Sequence, residues 1–248
     1  MGDQLMATHE VKRTGSHLPP FRRNGIDAPD NILNKLVLAG LEEAIAKTDP
    51  QSRRVHFAVH VPRARTDGAP LDATALESVV GYLRAMPERG AWSRVIVATP
   101  AYRSLGVDAM SPRSQGFGVF MQPLCQSQQG SCGMNTDGST SSAAETVTTP
   151  NGETAKANQF VAPYVYLKIW ILDPQTLAVV DSQEVFEYQK MWDPKADTMD
   201  LSEVIPKRVL AAQIVRLAGQ ATEEAVKRTE LRGQVEVKER GEVKEPSK

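Results

Sequence analysis

Four histidines and two cysteines are the side chains best suited to acid–base, nucleophilic or metal chemistry in this 248-residue chain. His56 and His60 share the segment RRVHFAVHVP, whose strict alternation has the period of a strand and sets Val55, Phe57, Val59 and Val61 on one face. At i and i+4 of a strand the two imidazoles stand roughly 13 Å apart. Zinc bonds each nitrogen at about 2 Å, so this pair does not chelate. His9 and His17 lie in a polar N-terminal stretch and are read as solvated. Cys125 and Cys132 open a long polar run, CQSQQGSC and then GMNTDGSTSSAAETVTTPNGETAKANQ. The residues between them include Gly130 and no proline, so disulfide geometry is within reach. Two unpaired surface thiols are the alternative. The CX6C spacing fits neither the tight pairs of structural zinc sites nor a CxxC redox motif.

Other catalytic sets are missing their parts. A serine or cysteine nucleophile needs a base that is itself held in place, and there is no G-x-S-x-G elbow. Neither GFG at 116–118 nor GSCG at 130–133 has the glycine spacing of a phosphate loop or a dinucleotide fingerprint. Asp193, Asp197 and Asp200 in WDPKADTMDLSE suggest a hard cation, but an EF-type loop needs a central glycine and a terminal glutamate that this run lacks. The start of a helix explains them better, with Asp200 or Ser202 as cap and Glu203 at the positive end of the dipole. No catalytic residue, metal ligand or cofactor is assigned on these grounds. One strand edge remains as an alternative small-ligand or hydrolase site: Thr99 to Arg103, where Arg103 can meet an anion beside Tyr102, with acids such as Asp108.

Bulk properties bound the class. Hydrophobic residues make up 41% and charged residues 24%, the composition of a globular protein. Lys plus Arg number 29 against 30 for Asp plus Glu, a formal charge of −1, so no long-range positive field exists to hold nucleic acid. The longest apolar run, Val161 to Leu172, is broken by Lys168 and falls short of a membrane span. Residues 1–26 have no apolar core of a signal peptide and read as a flexible leader. Residues 229–248 read as a charged flexible tail.

The elements between these ends, 27–228, form a single domain by pattern. A helix begins near Asp27 or Asp30, with Pro29 in its first turn and Ile32, Leu33, Leu36, Val37, Leu41, Ala44 and Ile45 on one face. A strand at 53–61, a helix from Leu71 past Leu83 and a buried strand at SRVIVATP suggest a right-handed crossover with a parallel pair. GFGVFMQP is a third strand. A polar insertion loop, 124–160, separates it from VAPYVYLKIWILD and LAVVDSQEVFEYQ, which form a hairpin across Asp173-Pro174-Gln175-Thr176. The first of these strands sets Val165, Leu167, Ile169 and Ile171 on one face and Tyr164, Tyr166, Lys168 and Trp170 on the other, so it is central. The aromatic face is read as core, or as an interface through Tyr164, Tyr166 and Trp170. A final helix runs from about Glu203 to Arg228. The sum is an α/β (or α+β) fold of about three helices on a mixed sheet of about five strands.

The hairpin VYLKIWILDPQTLAVVDSQEV resembles a pattern of bacterial envelope lipoproteins of the curli-secretion and penicillin-binding-protein-activator type. In these a strand ends in Asp, the turn contains Thr and the return strand passes from hydrophobic to polar. The resemblance implies a small α/β domain without catalytic residues that acts as an assembly or regulatory partner. It does not extend to lipidation, because both cysteines are internal. The expectation is a non-enzymatic, exported protein, periplasmic by its cysteine pair, that binds another protein through its sheet edge, its aromatic stripe or its polar loop. Reduced thiols would make it cytoplasmic.

Overall fold

A computed structural model of the chain describes residues 1–2, 4–10, 21–59, 71–103, 114–122, 145–157, 160–196 and 204–229. The elements are β1 (Gln4–Glu10), β2 (Phe21–Asp27), α1 (Ile32–Thr48), α2 (Leu71–Arg84), a 3-10 turn (Pro87–Ala91), β3 (Val95–Pro100), β4 (Tyr102–Arg103), β5 (Ser114–Gln122), β6 (Glu145–Thr148), β7 (Thr154–Ala157), β8 (Phe160–Leu172), β9 (Val179–Tyr188) and α3 (Lys207–Arg228). The fold is α/β: among the described residues three helices accompany a mixed sheet of seven strands in the order β2-β1-β5-β8-β3, to which β4 joins on β5 and β9 on β8.

The thirteen-residue β8 is the spine of the sheet. One flank pairs first with β5, from Phe160 to Tyr166, and then with β3, from Leu167 to Leu172. The other flank pairs with β9 from Tyr164 to Leu172. Both faces of β8 are covered, as its near-continuous apolar sequence requires. On the first face Val165, Leu167, Ile169 and Ile171 pack under α1 and α3. On the second, Tyr164 and Tyr166 pack with Met191, Trp192, Val204 and Ile205, while Trp170 and Leu172 pack with Leu83 of α2.

Two glycines allow close approaches. A Cβ at Gly118 would overlap the Tyr164 ring and the Met6 carbonyl, so this glycine lets the ring lie across β5. A Cβ at Gly40 would overlap the Thr222 hydroxyl, which bonds the Ala218 carbonyl at 2.9 Å and brings α3 against α1.

The structure corrects several sequence expectations. Residues 4–10 and 21–27, expected in a flexible leader, are an antiparallel pair, and β1 continues the sheet parallel to β5. The described part of the segment expected as a strand at 53–61, up to residue 59, carries no strand pairing. The crossover pair is therefore absent from the described ladder, and β3 runs antiparallel to β8 instead. Helix α1 is not capped by Asp27 or Asp30: Asn31 holds the cap position at φ 54, and no side chain bonds the first turn. Short polar residues tolerate this left-handed geometry best. The insertion loop contains a hairpin, β6–β7, closed by Thr149-Pro150-Asn151-Gly152, where the Gly152 amide bonds the Thr149 carbonyl at 2.9 Å. Helix α3 starts at Lys207 after Pro206, later than expected. Asp200, Ser202 and Glu203 lie outside the described residues, as do Cys125, Cys132, His60, Asp108, Asp197 and residues 230–248.

Candidate functional site

The densest group of chemically capable side chains is a row across three strands on the second face. The β3–β8 register places Thr99 beside Lys168, and the β8–β9 register places Lys168 beside Glu184. Period-2 alternation then adds Tyr166 and Trp170 on the same face of β8. The Lys168 ammonium is 3.3 Å from Glu184 Oε1 and 4.1 Å from the centre of the Trp170 ring. Tyr166 donates its hydroxyl to Glu184 Oε2 at 2.9 Å. The Trp170 indole N–H donates to Thr99 Oγ1 at 2.9 Å. Around this row, Phe186 meets Tyr166 edge-on at 5.5 Å and Tyr188 at 5.4 Å.

The arrangement is matched in charge. A half-buried ammonium has a carboxylate beside it and an indole face against it, and the same carboxylate accepts the hydrogen bond of the phenol. Such a network fixes orientation across the sheet, and it presents neither an activated nucleophile nor a base in reach of one. Tyr164, Tyr166 and Trp170 are 1%, 2% and 8% exposed, so the aromatic stripe lies in the core rather than on an accessible surface.

The other sequence candidates are dispersed. His56 pairs with Glu42 of α1 at 3.0 Å, on the layer opposite Thr99, so the structure does not join it to the strand edge. Tyr102 and Arg103 form β4 through backbone pairing with Gln115 and Ser114, and their side chains lie outside the described residues. Asp193 accepts the Lys195 amide at 2.9 Å in a local turn, while the helix-entry residues Asp200, Ser202 and Glu203 lie outside the described residues. No group of three potential metal ligands occurs among the described residues. Asp173 closes the β8–β9 connection by accepting from the Gln175 amide, the Thr176 amide and the Thr176 hydroxyl at 2.7–3.0 Å. These bonds to Thr176, first through its amide, hold the Asp173 carboxyl below its ordinary pKa.

Glu184 is the member of the row that sequence reasoning missed. Continuing the ladder regularly from Leu172↔Val179 would set Gln183 opposite Lys168. The register shifts between Ile171 and Leu172, so Val180 is an extra residue and Glu184 moves into place. The signal in the sequence was a lysine and a glutamate on two strands joined by a recognisable turn, but the bulge sets their pairing.

No protein family matches the chain, and neither a curated protein nor a solved structure matches it. No helix among the described residues is long and apolar enough to cross a membrane.

Proposed function

We propose that this protein is a non-enzymatic interaction module of the bacterial envelope, exported to an oxidising compartment, that binds an extended segment of a partner protein along β9. The observation that carries the reading is the position of β9: among the described residues it pairs with β8 on one flank only, along Val179–Tyr188. A strand with a described ladder on one flank offers the other flank for strand addition. Val179 and Val180 at its start are 47% and 60% exposed, an apolar contact next to the backbone edge. The bulge is confined to that start, so the ladder from Asp181 onward is regular. Charge pairing within the polar row favours a structural role for Lys168 and Glu184 over a catalytic one. Export rests on the cysteine pair and on the hairpin resemblance.

Site-specific photo-crosslinking in cells tests the interface. Probes at Val180 and Gln183 should give one discrete protein adduct that Ser182→Pro, which removes an N–H facing away from β8, abolishes, while a probe at the exposed Val215 of α3 gives none. Identical adducts at all three positions in a folded protein would refute the β9 reading. Alkylation of Cys125 and Cys132 in intact cells tests the compartment separately, and free thiols there count against export.

A further inference from the structure

Arg53 to Val59 follows the chain as an extended segment, yet among the described residues none of its backbone groups has a backbone hydrogen-bond partner. Its apolar positions are left in solvent: Val55 is 60% and Phe57 40% exposed. The two faces of the segment are nevertheless already sorted between two layers of the fold. The even-numbered side chains meet α1, with Arg54 Nε 2.9 Å from Glu42 Oε1 and His56 Nε2 3.0 Å from Glu42 Oε2. The odd-numbered Phe57 meets the Trp92 ring at 6.0 Å, and Trp92 packs against the cluster formed by α2, β3 and β8. Helix α1 covers the first face of the sheet and α2 the second. A strand lying in the plane of the sheet divides its side chains between those layers in just this way. Among the described residues β3 pairs with β8 on one flank only, so its other flank has no described ladder partner.

We infer that Arg53–Val59 is a docking strand for the flank of β3 that no described strand occupies, held in this structure outside the ladder. Docking extends the sheet by one strand and covers Val55 and Phe57 from the α2 side. The chain order, segment then α2 then β3, suits parallel pairing, because a helix on one face is the usual crossover between parallel strands. The segment is thus a strap with two positions. Undocked, it exposes two apolar side chains and the edge of β3; docked, it hides both. This device is independent of the β9 interface.

A proline scan read by hydrogen exchange tests the docking. A strand at a sheet edge gives only alternate N–H groups to its neighbour, and proline removes one N–H. Ala58→Pro and Val59→Pro should therefore differ: one should lower protection of the outward-facing β3 amides by about tenfold or more, and the other should leave it near wild type. Val59→Ala controls for the lost side chain. If both proline variants leave β3 exchange unchanged, the segment does not dock. Should either variant fail to fold, wild-type exchange decides alone: protection of 53–59 by about tenfold over unstructured rates supports docking, and exchange at unstructured rates overturns it. Protection that falls on dilution also overturns it, because it would place a second copy on β3.

Discussion

The two faces of β8 are held by different physics, although they alternate residue by residue along one backbone. The first face presents Val165, Leu167, Ile169 and Ile171 to α1 and α3, whose contact surfaces are aliphatic, from Leu33, Val37 and Leu41 to Ile214, Leu217 and Ala221. Such a surface is stabilised by area and shape, without directional bonds. The second face presents Tyr164, Tyr166, Lys168 and Trp170, and directional contacts tie Tyr166 and Lys168 to Glu184 and Trp170 to Thr99. Stability on the first face scales with volume removed. On the second it depends on whether particular partners remain in place.

The largest expected effect is on the first face. Leu167→Ala removes a fully buried side chain and should destabilise the fold by about 2–5 kcal/mol in urea unfolding, with the slope unchanged. A loss below that range would mean that α1 and α3 close the cavity, and the face would be softer than its packing suggests. Trp170→Phe keeps most of the volume on the second face and removes the indole N–H. It should cost about 1–2 kcal/mol, combining the lost bond to Thr99 with a weaker cation–π contact to Lys168. The same change made in a Thr99→Val background should cost less, and additive losses would show that the two side chains do not act as a unit.

The smallest effect tests the margin between α3 and β9. Partial burial first, and then the neighbouring Glu224, raise the pKa of Glu187. Its ionised form is therefore less welcome in the folded state than in the unfolded one, and the fold is penalised at pH values above its raised pKa. Stability referred to this group is complete below the unfolded carboxylate pKa and declines as pH rises through the folded one. Glu187→Gln should thus raise the melting temperature slightly at neutral pH and converge with wild type in acid. A variant less stable than wild type at neutral pH would assign the dominant influence to Arg228 and Arg216 instead.

The β8–β9 hairpin was legible because its pattern and its turn agree: apolar residues run through both faces of β8, and Asp173 and Thr176 close the turn with local bonds. Strands β1 and β2 were not, since QLMATHE and FRRNGID show little alternation and become strands through pairing with each other and, for β1, with β5 more than a hundred residues away. The segment at 53–59 shows the converse. Its alternation is clean, but a pattern supplies faces and not a ladder partner. The β6–β7 turn carried a Pro-Asn-Gly signal masked by the Ser/Thr-rich residues around it. In the candidate row, Tyr166, Lys168 and Trp170 were visible by alternation, while Thr99 was read only at a strand edge and joins the row through the β3–β8 ladder, and Glu184 depended on the single extra residue Val180.

Because β8 serves β5 and β3 on one flank and β9 on the other, the order of synthesis bears on how the chain folds. Strand β3 is made long before β8, its one described ladder partner, and at usual ribosomal rates the interval is on the order of several seconds. During that time Val95, Val97 and Thr99, all buried in the finished protein, lack their described ladder partner β8. The β1–β2 hairpin and its contact with β5 can form early, but the two ends of the sheet join only when Phe160–Leu172 emerges. Completion of the described sheet therefore awaits Phe160–Leu172, and a nascent polypeptide stalled before Phe160 should expose its earlier strands to aggregation.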